Sequence, residues 1–383
     1  MALALGNVCE PLVEPRPLCV MARGVLEQLC NAERSKALCA RTAKGPYTRA
    51  VLFASVVALM SQVVLGGQPS VPAAYQAQAD QLGVSDPAIS DKLNQVELCV
   101  SAELVRDAAR QAAPVLGALP AALAPLVPGY RTNILAGHHL AARAQRLEER
   151  RRMWAAPLPG QLLVGWEQPP RLATEVVWCE DGHAQARSWL GQGLPLGIHE
   201  DVWMADRNLC TAAFLGGIAA RGGCFVMRQH GPLQGPLVGS RTYTGASDTG
   251  TGYAQRSALM HAPGAPLPLR RIPVAWHKPP RDGDAAIPLL RHVPRRHARA
   301  QTLATSYGKR WTRETMGQGW TATVTCEGHA WGSPHAAWFG LCWALLASNA
   351  VAVLQAAWRA VHGGAQVQQD SSRDSLALAI AQT

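Results

Sequence analysis

Apolar positions in the first third of the chain recur every three or four residues, whereas after Tyr130 they alternate in short runs. The helical period covers VMARGVLEQLCNAERSKALCARTA (residues 20–43) and TRAVLFASVVALMSQVVL (48–65) and predicts three more short helices, before the proline-rich PAALAPLVPG closes the region. Within it, AAYQAQADQLGVSDPAISDKLNQV reads as two helices around Gly83, with Ser85 as N-cap and Pro87 in the first turn of the second. Two readings fit that spacing. A helix-turn-helix would present the second helix, with Lys92 and Asn94, to a DNA groove; an ordinary bend in a helical bundle needs no ligand.

Beyond Tyr130, the runs YRTNIL, QLLVGW, LATEVVW and EDVWMA predict strands, with a helical stretch, GHAQARSWLGQ, between the third and fourth. That order suits an α/β sheet of ribonuclease-H type. The helix LCTAAFLGGIAAR and the strand GCFVMRQH follow. Residues 231–298, rich in Gly, Pro and Arg, read as a β-rich insertion with short strands at SRTYTG and RRIPVAWH. GASDTGTGY has glycines but no Lys and no strand-helix frame, which argues against a phosphate loop. A long helix is expected from about Gln301, carrying YGKRWTRETM. The expected organisation is a helical DNA-binding region over 1–125, a mixed-sheet core over 126–365 and a flexible tail over 366–383.

Between Glu327 and Arg359 no residue carries a formal charge, and AAWFGLCWALLASNAVAVLQAAW is long enough to span a bilayer. Ser348, Asn349 and Gln355 inside the run favour a buried core helix, although a single-span membrane protein is the competing reading.

Composition narrows the field. With 383 residues, 48% hydrophobic and 16% charged, the chain is excluded from the class of disordered solvating proteins and has material for more than one structural unit. A net charge of +10 favours a polyanionic partner. The ten cysteines form no Cys-x-x-Cys pair, and the opening MALALGNVCEPLVEPRPL has acids and prolines where a signal peptide needs an apolar run. A reducing cytoplasm is therefore the expected location.

Two carboxylates stand where a metal site would want them. Asp206 ends the strand EDVWMAD, and Glu314 shares a helix face with Tyr307 and Arg310 at i, i+3 and i+7. The plainer roles are an N-cap for Asp206 and an i,i+4 ion pair for Arg310 with Glu314.

The spacing Tyr-x-x-Arg-x-x-x-Glu, together with ADRNLCTAAFLGGIAARGGCFVMRQHG, CEDGHAQARS, YGKRWTRE, GSPHAAWFGL, PYTRAVLF, PSVPAAYQAQADQLGVS and DKLN, resembles the blocks of one family of DDE insertion-sequence transposases, the fourth in the usual numbering. The resemblance runs from about Val20 to Gly363. It implies a ribonuclease-H-like fold with a β insertion between the second Asp and the Glu. It also implies two Mg²⁺ or Mn²⁺ ions, a homodimer on double-stranded transposon ends, and DNA strand cleavage and transfer. Hard divalent ions take oxygen ligands, and a pair of them serves the attacking and leaving oxygens of such a displacement. Asp206 and Glu314 match the second and third metal-binding carboxylates, and Arg310 and Tyr307 match residues expected near DNA phosphates.

The first carboxylate does not match. Where the family reads Leu-Asp-Gly-Asn-His-Leu, this chain has Leu135-Ala136-Gly137-His138-His139-Leu140, and no Asp or Glu occurs between Asp107 and Glu148. Imidazoles at His138 and His139 are poor partners for Mg²⁺. The family's Thr-Glu-His is here Arg143-Ala144-Gln145, and its signature Lys is Thr321. An active transposase and a catalytically dead DNA-binding relic are both consistent with this pattern.

Overall fold

The computed structural model describes residues 17–44, 50–120, 123–139, 161–169, 171–179, 200–231, 233, 237–247, 250–259, 267–276, 286–294, 298–308 and 334–363. Every described element before residue 120 is helical: α1 (Pro17–Leu29), α2 (Ala32–Thr42), α3 (Ala50–Val64), α4 (Val71–Gln76), α5 (Ala79–Leu82), α6 (Asp86–Asn94) and α7 (Leu98–Ala118). Local chemistry sets several of the boundaries. Asn31 separates α1 from α2, its side-chain oxygen accepting from the Arg34 amide at 2.9 Å. Gly83 ends α5 in the left-handed region, at φ 61°, and frees the chain to start α6 behind Ser85 with Pro87 in its first turn. The surprise is α7, which runs for 21 residues through Pro114 where only short helices were expected. Its Val100, Leu104, Val105, Ala108, Ala112 and Leu116 are buried at helical spacing, and that continuous apolar stripe outweighs one lost backbone hydrogen bond.

A nine-stranded mixed sheet follows, in the order β3-β2-β1-β4-β5-β9-β8-β7-β6. Its first part comprises β1 (Arg131–His139), β2 (Gln161–Gln168), β3 (Leu172–Cys179), β4 (Asp201–Ala205) and β5 (Cys224–Arg228). Strands β1, β4 and β5 are parallel neighbours, and β2 is antiparallel to both β1 and β3. The insertion supplies β6 (Leu237–Ser247), β7 (Gly250–Leu259), β8 (Leu267–Trp276) and β9 (Ala286–Arg291), an antiparallel meander joined to β5 through β9. Strands at SRTYTG and RRIPVAWH were expected; β7 and β9 were not. The helical stretch expected at GHAQARSWLGQ lies outside the described residues.

Strand alternation divides the side chains between two faces. Leu135, Leu163, Trp203, Phe225 and Met227 meet α8 (Ala212–Ala220) through Phe214, Leu215 and Ile218. On the opposite face Ile134, Met204 and Val226 meet Leu303, Ala304 and Tyr307 of the helical residues 300–308.

The uncharged segment forms α9 (Pro334–His362), 29 residues long. It is the one described helix long and apolar enough to cross a membrane, and its most apolar window is entirely buried inside the protein. Trp338, Leu345 and Val353 all lie in a core shared with α1, α3, α7 and β3. Buried Asn349 turns its amide to the backbone of Ala173 on β3. A second tie joins the same strand to α7, where the Arg106 guanidinium grips the buried Glu175 carboxylate.

Candidate functional site

The parallel strands deliver their C-terminal ends to one edge of the sheet. Pairing of β1 with β4 extends to Ile134 opposite Met204, and pairing of β4 with β5 to Ala205 opposite Met227. Carried forward in the same register, the rows align Ala136 with Asp206 and Asp206 with Arg228. Alternation puts Ala136 on the face of Ile134 and Met204, the face that helix 300–308 covers. Ala136 is buried, with Val164 of β2 as its ladder partner. His138 and His139 continue β1 opposite Leu162 and Gln161.

Asp206 follows directly on β4 and is half-buried. Its Oδ1 accepts from the amides of Asn208 and Leu209, at 2.9 and 3.1 Å, and its Oδ2 accepts from the Asn208 side chain at 3.3 Å. The carboxylate thus caps the short 3-10 turn Arg207–Leu209, the plainer role anticipated for it. Capping fixes the rotamer and leaves lone pairs for another ligand, since a carboxylate has about four acceptor positions.

Tyr307 is almost wholly buried, and its hydroxyl donates to the Ala205 carbonyl at 3.1 Å. This bond pins helix 300–308 against the residue immediately before Asp206. Glu314 and Arg310 lie outside the described residues. Lys92 sits half-buried on α6, whose Ile89 and Leu93 point into the helical core. Burial holds its ammonium below the ordinary lysine value, against the opposing pull of Cys39 and Glu97.

Among the described residues no three His, Cys, Asp or Glu side chains come together. Ala136 carries no donor atom, so among the described residues Asp206 is the one carboxylate of the expected site. Sequence reasoning passed over Arg228, buried at the end of β5 one residue past the pairing of Ala205 with Met227. The only signal available was its place at the end of the expected strand GCFVMRQH.

No protein-family model matches the chain, and no curated protein is significantly similar to it.

Proposed function

We propose that this chain is a degenerate insertion-sequence transposase: a double-stranded-DNA-binding protein on a ribonuclease-H-like core, with its strand-cleavage site disabled at Ala136. The observation that carries the reading is the parallel pairing of β1 with β4 up to Ile134 opposite Met204, a register that, continued two residues further, would align Ala136 with Asp206. The strand order β3-β2-β1-β4-β5 with β2 alone antiparallel, and a β-rich insertion entering after β5, support the ribonuclease-H-like assignment. Tyr307, the first residue of the Tyr-x-x-Arg-x-x-x-Glu signature, supports it from the other side, since its bond to Ala205 seats helix 300–308 beside that edge.

In this reading Mg²⁺ or Mn²⁺ would have Asp206 and Glu314 as ligands, and the ion pair of an active enzyme would lack its first-strand bridge. We assign no cleavage step to the chain as it stands. Its own residues bind and orient: Arg310 and Lys92 meet backbone phosphates, Asp206 is held in one rotamer by its cap, and Tyr307 fixes helix 300–308 beside Ala205. The partner is double-stranded DNA at transposon ends, engaged as a homodimer. Helix α9 is a core element in this reading, supported by the buried Asn349 along its length.

The test is binding of a transposon-end duplex across a salt series, followed by fluorescence anisotropy. Each phosphate contact made by Lys or Arg should add about 0.9 to the slope of log affinity against log salt, so several contacts give a steep line. An affinity independent of salt would defeat the proposal.

A further inference from the structure

Helices α1 and α3 both pack on α9, but they leave a cavity of about 790 Å³ between them, beside the α1–α2 turn. That volume suits an organic molecule of drug size. Its apolar wall comes from Leu26 of α1, Ala54 and Val57 of α3, and Leu65 just after α3. Arg23 and Glu27 line its solvent side, each well exposed, and are bonded to each other at 2.9 Å. Among the described residues no other Asp, Glu, Lys or Arg lines the cavity, so these two charges cancel and the wall has no net charge.

The polar groups of the wall are used unevenly. Ser35 and Ser61 donate their hydroxyls to the carbonyls of Asn31 and Ala58, at 2.8 and 2.6 Å. The Asn31 side chain donates to the Glu27 carbonyl and accepts from the Arg34 amide. Two donors remain. Trp343 of α9, only 3% exposed, and half-buried Gln78 after α4 both belong to the wall, and each holds a buried side-chain nitrogen, Nε1 and Nε2, that has no acceptor among the described residues. A buried donor without an acceptor costs stability, which an incoming acceptor recovers.

We propose that this cavity binds an uncharged organic molecule with an apolar body and a carbonyl acceptor. The body covers Leu26, Val57 and Leu65, and the carbonyl oxygen, with its two lone pairs, takes the N–H groups of Trp343 and Gln78. An ionised ligand is disfavoured, because Arg23 and Glu27 neutralise each other and leave no charge on the wall to match it. The site belongs to the helical region and does not depend on the transposase reading.

The probe is benzophenone, which has this chemistry, and its control is diphenylmethane, which has the same two rings without the carbonyl. Binding of each to the full chain is followed by saturation-transfer NMR titration. Benzophenone should bind saturably and about tenfold more tightly than diphenylmethane, the gain expected from hydrogen bonds to buried donors. In Trp343→Phe with Gln78→Leu that preference should disappear, with the fold checked by circular dichroism. Ala54→Phe places a ring in the cavity and should abolish binding of both probes. Ala58→Leu, at a more exposed point of the wall, fills less of it and should weaken both. No saturable binding of benzophenone, equal affinity for the two probes, or a preference that survives in the double variant overturns the proposal. So does binding that neither Ala54→Phe nor Ala58→Leu alters, which would place the probe on another apolar surface.

Discussion

The side-chain amide of Asn349 closes two hydrogen bonds on the backbone of Ala173, its Oδ1 accepting from the amide at 2.7 Å and its Nδ2 donating to the carbonyl at 2.9 Å. Strand β3 is the edge of the sheet, and at Ala173 its outward-facing backbone groups are buried. A helix residue therefore supplies what a neighbouring strand would have supplied. Asn349→Leu leaves a donor and an acceptor buried and unmatched, and should lower stability by about 2–4 kcal/mol. Urea denaturation measures this; a loss below about 0.5 kcal/mol would mean that the strand edge is satisfied in another way.

The same strand is held to α7 by Arg106 and Glu175. Removing one partner strands a charge, but Arg106 is one-third exposed, so Glu175→Gln should cost about 2–3 kcal/mol rather than the full penalty of a sealed pair. Arg106→Met combined with Glu175→Leu should recover much of that loss. Additive losses in the double variant would contradict an interaction between the two side chains.

Acid should weaken the helical region through Asp107. Burial pushes its carboxyl up, but hydrogen bonds from Arg41, Arg110 and Gln111 outweigh this and hold it below the ordinary 3.8. A carboxylate with a lowered folded pKa contributes stability that is complete above the unfolded value and is lost as pH falls through the folded one. Stability should therefore drop below about pH 4, and Asp107→Asn should flatten that part of the profile. Parallel acid profiles for the two proteins would exclude Asp107 as the cause.

An acidic side chain on β1 is the sharpest test of the proposed function. Ala136→Asp should raise Mn²⁺- or Mg²⁺-dependent nicking of a transposon-end duplex by orders of magnitude, as expected when a constellation that acts as a unit regains a member. Robust cleavage by the unmodified protein, abolished by Asp206→Ala, would show the missing group to be dispensable.

Strands β1 to β5 were legible because each presents a run of β-branched and apolar residues ended by Pro, Gly or charge. Strand β7 was not, since GTGYAQRSAL opens with two glycines and has few apolar positions, and β9 was hidden by Pro288, which stands opposite Pro273 in the sheet. The length of α7 was obscured by Pro114. At the site, Asp206 could be read as a strand-end residue from the pattern alone. Ala136 drew notice only through the resemblance, which implies a carboxylate there, because an alanine in a buried strand carries no chemical signal. The bond from Tyr307 to Ala205 spans 102 positions and depends on how a helix seats on a sheet, which no local pattern encodes.

Helices α1, α3 and α7 bury their apolar faces against α9, which is the last described element of the chain. During synthesis those faces leave the ribosome well before their cover does. At about 5–20 residues per second, the interval between the end of α7 and the end of α9 is about 10–50 s. Throughout that time the nascent chain carries an uncovered apolar groove between its first helices, a surface suited to a chaperone. Completion of the fold then waits on the insertion of a single helix.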